Sequence, residues 1–128
     1  MIYQSINNES VTRTAGQTAV LGYPVEACSC CSGVKQVANA IMLTRPNNYY
    51  ISADVTFAPT GTAATVQLLV NGDVVDEATE TVTAGNYASL HLQYVAEGAC
   101  CKASRPRITI AYPNAGTQSR VNLVAKRC

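Results

Sequence analysis

Six cysteines are the most reactive groups in this chain, and they fall in three places: Cys28 with Cys30 and Cys31, then Cys100 with Cys101, then Cys128. Three kinds of chemistry suit them: structural disulfides, a metal held by thiolates, or free and intersubunit thiols. Adjacent cysteines are poorly placed to bond to each other, because the intervening peptide must strain to reach disulfide geometry. Cys30 and Cys31 therefore look for partners elsewhere, and Cys100 and Cys101 are the obvious ones. A structural zinc site draws on pairs spaced as Cys-x₂₋₄-Cys. Cys28-Ser29-Cys30 has a single intervening residue, and the other pairs have none. Disulfides between loops at one end of the fold are the preferred reading, with Cys128 the residue best suited to cross to a second subunit.

The other candidate groups are weaker. His91, in LHLQY, is the single histidine, which leaves it without a second imidazole for a metal site; it reads as a solvated or hydrogen-bonded sheet residue. Asp73, Asp76, Glu77 and Glu80 are close in sequence, but they run along a predicted strand rather than round a loop that could wrap calcium. Arg105, Arg107, Arg120, Lys126 and Arg127 thicken the C-terminal charge and read as a polar rim rather than an anion site. No phosphate-binding glycine loop, nucleophile elbow or acid–base pair stands out, so no catalytic residue, metal ligand or cofactor site is assigned.

These residues need a frame, and the frame is read as β throughout. The stretch Tyr49–Val75, YYISADVTFAPTGTAATVQLLVNGDVV, carries the clearest pattern. Ile51, Ala53, Val55 and Phe57 alternate with Ser52, Asp54 and Thr56, the signature of a strand packed on one side and wet on the other. Pro59–Thr62 turns the chain, Val66, Leu68 and Val70 share the face of the next strand, and Asn71-Gly72 supplies a tight hairpin. The stretch reads as a meander. Strands are also predicted at Met1–Ile6, Ser10–Thr14, Thr18–Leu21, Val34–Val37, Ala40–Leu43, Asp76–Val82, Tyr87–Val95, Arg107–Tyr112 and Val121–Lys126, with Val25–Ser32 irregular. In the later strands Leu90, Leu92 and Tyr94 share a face, as do Ile108, Ile110 and Tyr112. Glycines punctuate the second half at the rhythm of a sandwich or barrel, and about eight to ten short antiparallel strands are expected.

The chain has 128 residues, enough for one domain with a real core. Charged residues make up 13% of it, about half the usual share, and the formal net charge is +1 with no basic run. That excludes the electrostatic footprint of a nucleic-acid binder. No apolar run reaches the roughly 20 residues of a membrane-spanning helix. Met1–Thr14 shows no basic region followed by an apolar one, although an even cysteine count suits an oxidising compartment. Either a signal was removed before the numbering begins, or the protein leaves its cell by another route, such as lysis.

The Tyr49-Tyr50 strand opening, the IxAxVxF alternation and the LLVNG turn resemble the tumour-necrosis-factor-like jelly roll. They are most similar to complement-type globular heads and the C-terminal domains of exosporium collagen-like glycoproteins. GACCKASRPRITI and RVNLVAKRC are also similar to segments of small phage virion proteins from gut bacteria. The resemblance implies an all-β jelly-roll sandwich spanning residues 1–128 as a single domain, not an enzyme, whose Asn-Gly turn joins neighbouring strands of one sheet. It further implies a homotrimer that buries one face around a three-fold axis. The chain lacks a Gly-X-Y stalk and shows no membrane anchor, which favours a virion-surface role, as a capsid decoration or fibre-head protein touching other virion proteins such as the major capsid protein. The alternative is a secreted carbohydrate-binding or adhesive module, with Tyr49, Tyr50, Tyr87 or Tyr94 lining a glycan groove.

Overall fold

The computed structural model describes residues 2–22, 24–26, 34–44, 48–83, 85–97 and 106–127. Among these residues there are eleven strands: β1 (Ile2–Asn7), β2 (Val11–Arg13), β3 (Pro24–Glu26), β4 (Val34–Val37), β5 (Ala40–Leu43), β6 (Asn48–Pro59), β7 (Ala63–Val70), β8 (Asp73–Thr81), β9 (Ala88–Glu97), β10 (Arg107–Ala111) and β11 (Gly116–Arg127). They form two antiparallel sheets. The large sheet runs β3-β1-β11-β6-β9, with β2 also paired to β11; the small sheet runs β4-β5-β10-β7-β8. The chain is an all-β sandwich, as its alternation predicts, with the jelly-roll architecture that the resemblance implies.

The core lies between the sheets. Ile51, Val55, Phe57, Val66, Leu68, Leu90, Leu92, Ile108 and Ile110 are all buried there. Each fully buried side chain of this size contributes about 1.5–3 kcal/mol relative to exposure. Tyr94 departs from Leu90 and Leu92 despite sharing their register, and is exposed. It lies toward the far end of β9, the edge strand of the large sheet.

Three sequence expectations need correction. First, Tyr49–Val75 is not a meander. β6 belongs to the large sheet and β7 to the small one, so the Pro59–Ala63 connection crosses between layers. The corner is fixed at its base: Pro59 pairs with Gly116, and the Thr60 N–H donates to the Ala115 carbonyl at 3.0 Å. Gly116 is needed here because a Cβ would stand 2.3 Å from the Ala58 carbonyl oxygen and 2.5 Å from the Phe57 ring. The following turn is the expected hairpin, with Asn71 at φ 54° and Gly72 at φ 87°.

Second, Thr18–Leu21 is not a strand. One bridge, Thr18 to Ala111, starts it, and Ala19 N–H donates to the Ile110 carbonyl at 2.7 Å. Beyond that the backbone is held by side chains. Gln118, fully buried in β11, accepts from Val20 N–H at 3.0 Å and donates to the Val20 carbonyl at 2.9 Å. Asn7 also donates to that carbonyl, and Asn39 accepts from Leu21 N–H. The segment is thus strapped across one side of the sandwich by amides from both layers. Tyr112 donates to the same Gln118 oxygen at 2.7 Å while its ring stacks on Phe57, centroids 4.5 Å apart.

Third, the stretch Val25–Ser32, read as irregular, opens inside a short edge strand, Pro24–Glu26. Its partner β1 supplies the ladder that the sequence of β3 does not announce.

Candidate assembly face

The outer face of the large sheet is built row by row from the strand registers. Val121, Leu123 and Ala125 point inward from β11, so Arg120, Asn122, Val124 and Lys126 point outward. The same parity turns out Gln4 and Ile6 on β1, Tyr50, Ser52, Asp54 and Thr56 on β6, and Ser89, His91, Gln93 and Val95 on β9. Across the sheet these make one row of Lys126, Tyr50 and Val95, a second of Gln4, Val124, Ser52 and Gln93, and a third of Ile6, Asn122, Asp54 and His91.

Neutral hydrogen bonds hold much of this surface. Gln4 donates to Asn122 at 3.0 Å, and the Tyr50 hydroxyl donates to Gln93 at 2.8 Å. His91 Nδ1 lies 2.8 Å from Asp54 Oδ1, its direct cross-strand neighbour. Asp54, Thr56, Ser89, His91, Arg120 and Asn122 together line a shallow depression. Toward the Lys126 end the face becomes apolar: Val95 is 56% and Tyr50 37% exposed.

His91 is therefore a hydrogen-bonded residue of an exposed sheet. Asp73, Asp76, Glu77 and Glu80 lie along β8, a strand at the edge of the small sheet. Among the described residues, no three carboxylate, imidazole or thiol groups converge. Asp76 has a structural task. A bulge at the Leu68–Leu69 step of the β7–β8 ladder re-aims β8, and Asp76 Oδ2 accepts the Gln93 backbone N–H of β9 at 2.8 Å. Glu77 instead accepts from Gln67 at 2.7 Å on the small sheet's outer face.

The tyrosines proposed for a glycan groove do not gather. Tyr49 is 1% exposed and belongs to the core, on the parity of Ile51. Tyr87 and Tyr94 are exposed toward opposite ends of β9. Two further tyrosines, buried on the inside, were not singled out as site residues. Burial pushes the Tyr3 phenol up to about 12, against the opposing hydrogen bond with Ser5. Burial raises the Tyr112 phenol further, with the Arg13 charge opposing it.

Cys28, Cys30, Cys31, Cys100, Cys101, Cys128 and Arg105 lie outside the described residues. The strand ends that flank the cysteines do lie together. Glu26 runs toward the Ile2 end of β1, and Ile2 pairs with Lys126. Arg127 pairs with Tyr49, and Glu97 with Asn48. In the small sheet Val34 pairs with Leu43 and Arg107 with Met42, and Leu43 joins Asn48 by a short connection. All three cysteine-bearing segments therefore leave from one end of the sandwich.

No protein-family model and no curated protein matches the sequence. Solved structures do match. Murine APRIL aligns with a TM-score of 0.75 at 11% identity, over 98% of this chain and 99% of that one. Eiger TNF from S. frugiperda gives 0.75 at 7% identity, over 98% and 91%. The globular domain of zebrafish complement 1qA protein gives 0.71 at 9% identity, over 96% and 94%. The superpositions cover nearly the whole of each chain, and the chain has the jelly-roll fold of the TNF-type and complement-head domains.

Proposed function

We propose that this chain is a single-domain, non-enzymatic structural module that assembles as a homotrimer through the outer face of its large sheet and acts as a head on a virion surface, either decorating a capsid or tipping a fibre. The observation that carries the assembly is the apolar end of that face. Tyr50 and Val95 are neighbours across the β6–β9 ladder and stand exposed beside neutral Gln93, Ser52 and Val124. Burying such a patch against copies of itself removes apolar area from water with few charges to desolvate. The fold supports the three-fold arrangement, because TNF-like jelly rolls bury one sheet around such an axis. The virion setting rests on the resemblance of the GACCKASRPRITI and RVNLVAKRC segments to small phage proteins, and the partners there are other virion proteins such as the major capsid protein. A secreted glycan-binding role has less support, since Tyr49 is buried and the exposed tyrosines are scattered.

Light scattering on the purified protein tests the assembly. A mass three times that of the 13.5 kDa chain is expected. Val95→Glu should release monomers that keep the wild-type far-ultraviolet spectrum. A wild-type monomer at micromolar concentration would overturn the proposal. Immunogold labelling of purified particles tests the setting, and label absent from particles would overturn the virion role.

A further inference from the structure

The Asn71-Gly72 turn has chemistry that the hairpin alone does not require. Of the nine asparagines in the chain, only Asn71 precedes a glycine. Both turn residues are exposed, and a Cβ on Gly72 would meet nothing within 4 Å, so nothing crowds that side of the peptide. Asn71 is also tied to β10 twice. Its N–H donates to the Arg107 carbonyl at 2.8 Å, and its side-chain Oδ1 accepts the Arg107 N–H at 2.9 Å. The side chain thus continues the β7–β10 ladder one step beyond the Ile108–Val70 pair. Behind it, Val70 pairs with Asp73 to close the hairpin.

We propose that Asn71 is a site of spontaneous deamidation, held in check by its bonds to Arg107. The Gly72 nitrogen gives its proton to solvent, and its electron pair forms a bond to Asn71 Cγ. The Cγ–Nδ2 bond breaks, and Nδ2 takes up a proton and leaves as ammonia. Water then opens the resulting five-membered imide at either carbonyl. One opening leaves aspartate at position 71; the other leaves isoaspartate, whose backbone runs through the former side chain and is one carbon longer. One water is consumed and one ammonia released, with no oxidation. Glycine favours the ring closure because it carries no Cβ to obstruct it. The attack needs the two atoms about 3–3.5 Å apart and aligned. While Oδ1 is bound to β10, the side chain is not free to turn onto the Gly72 nitrogen. Release of the Arg107 bonds therefore sets the rate. The product carries a new carboxylate beside exposed Asp73, and in the isoaspartate form it disturbs the register where β8 begins. The protein thus records its age at the tip of one hairpin, whatever its state of assembly.

The experiment incubates the full chain in mildly alkaline buffer, native and in guanidinium chloride, and follows each asparagine by peptide mapping. Isoaspartyl methyltransferase labelling separates the two products. Asn71 should convert ahead of every other asparagine, to a mixture of aspartate and isoaspartate. Two hydrogen bonds must open in the native protein, so its conversion should be about 5- to 150-fold slower than in guanidinium. Arg107→Pro removes the N–H that Oδ1 accepts, at the first residue of β10, where proline is tolerated. That variant should convert about 2- to 12-fold faster than the wild type when native and at the wild-type rate in guanidinium. A far-ultraviolet spectrum checks that it folds, and the wild-type ratio decides if it does not. Equal native and denatured rates would overturn the inference. So would a native Asn71 that never converts, a different asparagine converting first, or a folded Arg107→Pro protein with the wild-type native rate.

Discussion

Gln118→Met should be among the most damaging near-isosteric substitutions in this protein. The side chain keeps its length and most of its volume, so cavity formation contributes little. What changes is hydrogen bonding. Gln118 Oε1 accepts from both Val20 N–H and the Tyr112 hydroxyl, and its Nε2 donates to the Val20 carbonyl. After substitution the Val20 carbonyl still has Asn7, but Val20 N–H and the Tyr112 hydroxyl lose their acceptor. The orphaned Tyr112 hydroxyl is buried and costs about 1–3 kcal/mol, and the half-buried Val20 N–H costs less, so the loss should be about 1–4 kcal/mol. Tyr112→Phe alone removes one bond and leaves Val20 N–H paired, a cost of about 1 kcal/mol. In the Gln118→Met background the same Tyr112→Phe change should be neutral or stabilising, since it deletes an orphan. Urea unfolding of the wild type, both single variants and the double variant supplies the cycle. A Gln118→Met loss below about 1 kcal/mol, or losses that simply add, would refute the reasoning.

Three other predictions address the core, the phenols and the thiols. Phe57→Ala should cost about 3–5 kcal/mol in urea unfolding, because the ring is fully buried and stacked on Tyr112; a loss under about 1.5 kcal/mol would contradict that packing. Stability should fall with pH above the ordinary phenol value of 10.0, where the unfolded tyrosines ionise while Tyr3 stays neutral to about 12. The native state then binds the extra protons, so each such group removes about 1.4 kcal/mol per pH unit, and Tyr3→Phe should flatten the slope of unfolding free energy between about pH 10 and 12. The cysteines we propose as disulfides, with Cys28, Cys30 or Cys31 joined to Cys100 or Cys101, each bond restricting the unfolded chain by up to about 4–5 kcal/mol. Non-reducing peptide mapping checks this: six free thiols or a bound zinc would rule it out, and a Cys128 bonded to a second chain would place that link between subunits.

The sequence was most legible where burial imposes a period of two. Ile51 to Phe57, Val66 to Leu68 and Ile108 to Tyr112 could be assigned to the core by alternation alone, and Asn71-Gly72 could be read as a hairpin from backbone freedom. Alternation is blind to which sheet a strand joins, so β6 and β7 look like a meander although the corner at Gly116 parts them. Gln118 was invisible because its partner, Val20, lies 98 residues away in the chain. Tyr49 could have been found: it shares the parity of Ile51, Ala53, Val55 and Phe57, and that pattern already placed it inside. The outer face could not have been read as a surface, since its rows combine β1, β6, β9 and β11 and exist only once their registers are known.

The position of β11 governs the order in which the protein can form. β11, which follows the other ten strands in sequence, stands between β1 and β6, and β2 pairs with it as well. Until it emerges from the ribosome, β1, β2 and β3 have no ladder connecting them to β6 and β9. A nascent chain therefore carries a half-built layer with open edges on either side of a gap, held ready for the twelve residues of β11. Closure is then a single late insertion that pairs residues more than a hundred positions apart, Ile2 with Lys126 among them. Contacts so distant in sequence make for slow folding. During that delay the exposed edges can recruit a strand from another nascent copy instead, so crowding of ribosomes on one message is the condition under which this fold is most exposed to misassembly.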